Sequence, residues 1–257
     1  MKFFTLVCFL LSFQVRAQDQ AQIQSWILES ISEMPSRGGY ELTSVPARKM
    51  GAAFTWMVTP GQPTFLELNP KIAIPSYCTT ATYMVLYKVL QKYWATVSTL
   101  PDETVLARLK PNMENDGERI WGRWNSNGPG TAKLFHDAEM GINFSNIHDA
   151  LPGDFLKMYW NNQVGKLEKG HSVIFLGLDT VNGEEVIRFW SSNTSTSGYG
   201  EKYVPRKDAM RTVFTRLTNL SNNTNLAALS EKDAFLESML TRVSSWEELL
   251  SVTGMEE

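Results

Sequence analysis

The chain has 257 residues, of which 43% are hydrophobic and 20% are charged, and its formal net charge at pH 7 is −3. These fractions are typical of a globular protein, and the length is sufficient to bury a large hydrophobic core. The acidic balance provides no electrostatic basis for binding nucleic acid, so nucleic acid is not an expected partner.

The first residues have the pattern of a secretory signal peptide. Lys2 precedes a short apolar run, and Val15 and Ala17 favour cleavage after Ala17. The run is too short to cross a bilayer core of ~30 Å as a helix. We therefore predict a signal peptide at residues 1–17. The rest of the chain is expected to be exported, periplasmic or secreted, with no membrane anchor after cleavage.

Cleavage at this point makes Cys78 the only cysteine, because Cys8 is removed. It also removes Lys2 and Arg16, which takes the formal net charge from −3 to −5. A single cysteine forms no internal disulfide, and a lone thiol is a liability in an oxidising compartment. Two interpretations of Cys78 remain: a buried side chain that acts as a small hydrophobe, or a nucleophile.

Residues 18–257 are expected to form one domain of the α+β class, because predicted helices come first, strands in the middle and helices last. Residues 18–70 are predicted to be an N-terminal helix and an irregular lead-in. A core follows at residues 71–217, with an insertion at about 102–150. Residues 218–257 are predicted to be a C-terminal helical extension.

Helices are predicted on both sides of the lead-in. Apolar residues at helical spacing predict a helix over residues 20–34, whereas prolines at residues 40–68 favour irregular or short β structure. A second helix is predicted from Ser76 to about Ser98, with Ser76 as its cap. Cys78 then lies in the first turn, where the helix dipole lowers the pKa of a thiol.

The proposed insertion begins with a predicted helix at residues 102–109. Residues 112–130 are polar and glycine-rich, which predicts a long loop, and a short helix is expected at 131–140. Long loops inside a domain are often functional. Trp121, Trp124 and Asn127 are therefore candidates for binding an extended polar substrate. The alternative is that the two tryptophans fix this loop to the core.

Strands are predicted at residues 155–160, 172–178, 186–190 and 211–217. The Asn182-Gly183 pair between the second and third runs is a strong signal for a hairpin. A polar linker is expected at residues 219–225. Apolar residues at helical spacing from 230 to 250 predict one or two closing helices.

A nucleophilic cysteine needs a base, and the chain has three histidines. His136 and His148 are expected on a helix surface and in a turn. His171 begins a strand whose later residues are wholly apolar, which places an imidazole at the end of a buried strand. His171 is therefore the predicted base.

The strand after the hairpin ends in a polar run that contains Ser191 and Asn193. If this strand pairs with the strand of His171, its far end lies beside the imidazole. Asn193 is then the predicted acceptor that orients His171, with Ser191 as the alternative. A third interpretation is that the polar run only ends the strand.

The order of these features resembles a known group of enzymes. The features are Cys78 at a helix start, Pro152-Gly153-Asp154 before a strand, Gly170-His171 at the start of another, and a polar residue on the following strand. This order is similar to that of the NlpC-type and CHAP-type cell-wall hydrolases, which are papain-like cysteine peptidases and amidases acting on peptidoglycan. The distance from Cys78 to His171 along the chain is longer than is usual in that group.

The resemblance implies a papain-like α+β fold, in which an N-terminal helix carrying the nucleophile packs on a central antiparallel β-sheet, with extra helices at both ends. By the same resemblance Cys78 is the nucleophile, His171 the base and Asn193 the orienting residue. Tyr77 is a candidate substrate contact, and the Cys78 amide is a candidate oxyanion donor.

The function expected from this resemblance is that of an exported cysteine hydrolase which cleaves amide bonds in peptidoglycan stem peptides or cross-links. No metal or other cofactor is expected, because the histidines have no paired ligand spacing. The expected partner is peptidoglycan, an inhibitory immunity protein is a candidate partner, and a monomer is expected. The alternatives are a transglutaminase-like or general papain-like enzyme on protein substrates, and a non-catalytic cell-wall or partner-binding module.

Overall fold

The computed structural model describes residues 20–61, 64–97 and 101–255. The predicted signal peptide at residues 1–17 lies outside these ranges. The described chain has a mixed α+β architecture: helices pack on a central antiparallel sheet and further helices follow it. The α+β class predicted above is thereby confirmed.

The central sheet has seven strands in the order β1-β9-β8-β7-β5-β10-β4, and every neighbouring pair is antiparallel. Two small sheets are formed by β2 with β3 and by β6 with β11. The strands are β1 (Arg37–Gly38), β2 (Phe54–Met57), β3 (Phe65–Leu68), β4 (Gly141–Phe144), β5 (Phe155–Tyr159), β6 (Val164–Gly165), β7 (His171–Val181), β8 (Glu184–Asn193), β9 (Gly198–Pro205), β10 (Arg211–Leu217) and β11 (Val243–Ser244).

Helices account for most of the remaining regular structure, and the longest of them is α3. The helices are α1 (20–32), α2 (Val45–Ala53), α3 (Cys78–Val97), α4 (Glu103–Leu109), α5 (Arg119–Asn125), α6 (Gly130–Asp137), α7 (Ala234–Ser238) and α8 (Trp246–Val252). Short 3-10 turns lie at Pro70–Ile72, Ile147–Asp149, Arg206–Asp208 and Leu220–Ala227.

Helix α3 packs on the sheet at strands β7 and β8 and is buried along most of its length. Its aromatic side chains donate hydrogen bonds where they enter the core. The Tyr83 hydroxyl donates to the Leu109 carbonyl at 2.6 Å. Because α3 is buried against several elements, its packing in the core, and not its helix propensity, determines how its first turn is oriented relative to the sheet.

A buried carboxylate ties the start of β5 to the rest of the sheet. Asp154 is fully buried and forms an ion pair with Arg216 of β10 at 2.7 Å. It also accepts hydrogen bonds from the Gln24 amide of α1 at 2.9 Å and from the Leu151 amide N–H at 2.8 Å. One side chain therefore connects the N-terminal helix, the turn before β5 and the neighbouring strand.

Several predicted elements are confirmed with small changes at their ends. These are the helices at 20–34, 76–98, 102–109 and 131–140 and the strands at 155–160, 172–178, 186–190 and 211–217. The helix predicted from Ser76 begins at Cys78, and Ser76 is not its side-chain cap: the Ser76 hydroxyl lies 2.7 Å from the Ser192 hydroxyl. The tail contains two short helices, α7 and α8, with the short strand β11 between them.

Other parts of the secondary structure differ from the predictions. The lead-in at 40–68 contains helix α2 as well as the β2–β3 hairpin, and the linker at 219–225 is a 3-10 turn with buried Leu220 and Leu226. Strands β4 and β9 were not predicted. Both carry polar or glycine residues because they lie near the edges of the sheet, where one side of the strand is less buried.

The prediction of a long loop at residues 112–130 is wrong, because helix α5 and the start of α6 occupy its second half. Trp121 and Trp124 are fully buried, so their predicted role as exposed substrate contacts is also wrong. Trp124 donates to the Thr82 hydroxyl at 3.1 Å and packs edge-on against Phe155. The alternative interpretation, that both tryptophans fix this segment to the core, is the correct one.

The glycines of this segment are sites of close packing, which is why the loop prediction failed. A Cβ on Gly122 would lie 2.0 Å from the Asn115 carbonyl oxygen, and one on Gly130 would lie 2.1 Å from the Arg123 carbonyl oxygen. A helix that passes so near to backbone needs glycine for space. Within the described ranges, no helix is long and apolar enough to cross a membrane.

We predict that Asp154→Ala lowers the free energy of unfolding by about 3 kcal/mol, because it removes a fully buried carboxylate that pairs with the partly buried Arg216 and accepts hydrogen bonds from Gln24 and Leu151. Urea denaturation at neutral pH measures this change. The exposed Glu185→Ala serves as the control and is expected to change stability by less than about 0.5 kcal/mol. Equal stabilities of the two variants would contradict the role assigned to Asp154.

Candidate active site

The three residues predicted to carry the chemistry lie at the ends of three packed elements. Cys78 is the first residue of α3, His171 is the first residue of β7, and Asn193 is the last residue of β8. The sequence separates Cys78 from His171 by the whole of α4–α6. The sheet and the helix packed on it bring these ends together, and Cys78 and His171 line one cleft.

Pairing between β7 and β8 places His171 beside Asn193. The two strands are antiparallel, and Ile174 pairs with Trp190. Continuing this register for three residues along each strand brings His171 opposite Asn193. The Asn182-Gly183 hairpin brings the two strand ends together, and a bulge between Phe175 and Gly177 shifts the register by one residue, which sets His171 opposite Asn193 rather than Thr194.

A hydrogen bond joins the two side chains: His171 Nε2 lies 2.8 Å from Asn193 Oδ1. The Asn193 Nδ2 donates to the Gly200 and Ser191 carbonyl oxygens, each at 3.3 Å, and to the Thr196 hydroxyl at 3.4 Å. These acceptors hold the amide with its oxygen towards the ring. The oxygen can only accept, so Nε2 carries a proton and Nδ1 is left to face the thiol.

Ser191, the alternative to Asn193, has a different contact. Its hydroxyl is fully buried and donates to the Ser172 carbonyl oxygen at 2.7 Å. This bond links the ends of β7 and β8 behind the histidine. The structure thus brings Asn193 to the imidazole and directs Ser191 to the backbone.

The thiol of Cys78 is half-buried, and its pKa is lowered to about 7. Burial on its own raises this pKa, but four attractive contributions outweigh it. The largest is the charge of His171, followed by the hydrogen bond between His171 and the thiol. The charge of Lys157 and the Ser172 amide N–H also favour the thiolate. Cys78 is therefore substantially ionised near neutral pH.

The first turn of α3 supplies hydrogen-bond donors next to the sulfur. The first helical hydrogen bond runs from the Ala81 N–H to the Tyr77 carbonyl oxygen. The amides of residues 78–80 consequently have no acceptor within the helix. Their N–H groups and the positive end of the helix dipole favour negative charge at this point.

The cleft around Cys78 has a volume of about 470 Å³. Tyr77 and Asn127, both predicted to contact substrate, line it, whereas Trp121 and Trp124 do not. Burial followed by the charge of Cys78 raises the pKa of Tyr77, so its hydroxyl stays protonated. The full lining is Tyr40, Leu42, Thr43, Tyr77, Cys78, Thr79, Asp116, Asn125, Ser126, Asn127, Lys157, Trp160, Lys169, Gly170, His171 and Leu240.

Sequence reasoning missed three lining residues that can act chemically. Lys157 lies in the middle of β5, Asp116 precedes α5, and Tyr40 follows β1. Burial raises the pKa of Asp116, and burial followed by the Cys78 charge raises that of Tyr40 to about 12. Lys157 had a usable signal, because a lysine within an otherwise apolar strand is unusual. Asp116 and Tyr40 stand in polar segments and had none.

The other two histidines lie on the surface as predicted, His136 on α6 and His148 in a 3-10 turn, and neither lines the cleft. Among the described residues, no group of three or more His, Cys, Asp and Glu side chains is arranged to hold a metal ion.

In comparisons with known proteins, no protein-family model, no curated protein and no solved structure matches this chain.

We predict that Cys78 is alkylated by iodoacetamide with a pH midpoint near 7, below the value of ~8.5 for a free thiol, because the lowered pKa populates the thiolate at lower pH. His171→Ala removes the largest attractive contribution while the burial remains, so its midpoint should rise to ~8.5 or above. Mass spectrometry of the peptide that contains Cys78 gives the rate at each pH.

The control for this experiment is His148→Ala, which removes an exposed histidine outside the cleft. Its midpoint should equal that of the unmodified chain. A midpoint that stays near 7 in His171→Ala would show that the imidazole does not set the ionisation of Cys78.

Proposed function

We propose that this protein is a cysteine hydrolase that cleaves amide bonds, with Cys78 as nucleophile, His171 as base and Asn193 as the residue that orients the base. The observation that carries the proposal is the hydrogen bond between His171 Nε2 and Asn193 Oδ1 at 2.8 Å, on a histidine that lines the same cleft as the Cys78 thiol and lowers its pKa. A nucleophile, its base and a third group that orients the base are the parts that acyl transfer requires.

The reaction follows from these positions. The Cys78 thiolate attacks the carbonyl carbon of the amide, and the N–H groups at the start of α3 stabilise the oxyanion. His171 donates its proton to the leaving nitrogen, the C–N bond breaks, and an acyl-thioester remains on Cys78. His171 then takes a proton from water, which attacks the thioester and releases the acid and the thiolate.

Peptidoglycan is the proposed substrate, and stem peptides or cross-links supply the amide bonds. The support is the order of Cys78, His171 and Asn193 along the chain and a helix packed through its first turn on an antiparallel sheet, which is similar to papain-like cell-wall hydrolases. An export signal at residues 1–17 would deliver the enzyme to that substrate. An immunity protein that covers the cleft is a proposed partner.

Cys78→Ala tests the proposal directly. The unmodified chain should release soluble muropeptides from purified sacculi, and the variant should release none, because no other cysteine is described. Circular dichroism confirms that the variant is folded, and mass spectrometry of the fragments identifies the bond. Full release by Cys78→Ala would overturn the proposed mechanism.

The same geometry serves acyl transfer to an amine or hydrolysis of proteins, so two further assays belong to this test. Cleavage of casein, or incorporation of an amine into it, without release from sacculi would favour a transglutaminase-like or general papain-like enzyme. Binding to sacculi without cleavage would favour a non-catalytic module.

Asn193→Ala is predicted to lower kcat on the cleaved substrate by about 100-fold, because the imidazole loses the contact that fixes its orientation. KM should change little, since Asn193 is buried behind His171 and does not line the cleft. Ser191→Ala is the matched control, with a much smaller fall in kcat expected. A larger effect of Ser191→Ala would assign the third role to Ser191.

A further inference from the structure

Lys157 is the most unusual charged residue of the cleft. It lies in the middle of β5, and only 6% of its surface is exposed. Its aliphatic stem packs under Gly170, because a Cβ at Gly170 would lie 2.6 Å from Lys157 Cε. The same residue lines the cleft beside Cys78 and His171. An ammonium group is therefore buried at the floor of the candidate active site.

This ammonium has no fixed partner in the part of the chain that the structure describes. No carboxylate there lies within 4.0 Å of Lys157 Nζ, and no hydrogen bond engages it. The acidic residues nearby are occupied elsewhere: Asp116 accepts the Asn127 N–H at 2.9 Å, and Glu168 accepts the Gly170 N–H at 2.9 Å. Burial of an unpaired charge is unfavourable, so such a group is rarely kept without a ligand.

The negative charges around Lys157 favour its protonated form, which binding of an anion requires. Burial lowers the pKa of Lys157, whereas the negative charges of Cys78, Asp116 and Glu168 act in the opposite direction and favour the ammonium. Lys169 also lines the cleft, but it is exposed on the rim. The cleft thus has one buried cation at its floor and one solvated cation at its edge.

We propose that Lys157 is a carboxylate-binding residue of the active site, and that the substrate carries a free carboxylate within a few bonds of the amide that is cleaved. The ammonium and the Cys78 sulfur line the same cleft, so a ligand that reaches the sulfur brings its neighbouring groups to Lys157. A carboxylate there can accept charge-assisted hydrogen bonds from the ammonium, which no described side chain accepts.

Two alkylating reagents test the carboxylate site without any hydrolytic substrate. Iodoacetate and iodoacetamide transfer nearly the same group to a thiolate, but only iodoacetate carries a carboxylate next to the reacting carbon. The ratio of their rate constants at Cys78 cancels the thiolate fraction and reports the attraction for the anion. In the unmodified chain this ratio should exceed that of a free model thiol.

Lys157→Met retains the unbranched stem that packs under Gly170 and removes the charge. The ratio of iodoacetate to iodoacetamide rates should fall about tenfold, the effect of losing a nearby charge in a partly desolvated site. Lys169→Met removes the rim cation and should leave the ratio almost unchanged. Lys157→Gln provides a second, polar variant if Lys157→Met does not fold.

An unchanged ratio in both Lys157 variants would overturn the proposal. If both rate constants fall equally, Lys157 acts only on the reactivity of the thiol. Because neither measurement uses sacculi, the carboxylate site stands or falls separately from the cleavage of peptidoglycan.

The proposed substrate class rests on the proposed function. It is tested by comparing the cleavage of a matched pair of peptides. The two differ only in a free carboxylate or a carboxamide beside the cleaved bond. The unmodified chain should prefer the carboxylate through a lower KM, and Lys157→Met should cleave both alike. A preference for the carboxamide in the unmodified chain would contradict the proposed substrate class.

Discussion

The antiparallel register of β7 and β8 is the constraint on which the candidate site depends. It sets His171 opposite Asn193, and the bond from Ser191 to the Ser172 carbonyl oxygen holds the two strand ends together. Because side chains alternate along a strand, a shift of one residue would turn the imidazole away from the amide. The buried residues of both strands resist such a shift, so the core of the sheet also secures the geometry at its edge.

The second requirement is the position of α3 on that sheet. The thiol gains its low pKa from groups on other elements, namely His171 and Ser172 on β7 and Lys157 on β5. No feature local to the helix supplies these charges. The low pKa of the proposed nucleophile therefore results from tertiary packing. Lys157 contributes to that low pKa, although its own ammonium has no ion-pair or hydrogen-bond partner among the described residues.

The segment between α3 and β4 contributes to the cleft. Helices α4–α6 place Asp116, Asn125 and Asn127 along one side of the cleft. The buried Arg123 of α5 pairs with Asp233 at 2.9 Å and donates to the Ser230 hydroxyl at 2.8 Å, which links this segment to the C-terminal tail. The two regions predicted as an insertion and an extension thus support each other and one wall of the cleft.

Sequence by itself determined the α+β class, most of the buried strands, and the candidates Cys78, His171 and Asn193. It could do so because a helix start, a hairpin turn and an apolar strand each have a local signature. Tertiary structure alone decided that Trp121 and Trp124 are core residues and that Ser191 bonds to the backbone. It alone placed Lys157, Asp116 and Tyr40 around the sulfur. These outcomes depend on contacts between residues far apart in the chain. Burial and charge pairing at such distances leave no local pattern, and of these residues only Lys157, a lysine within an apolar strand, had a local signal.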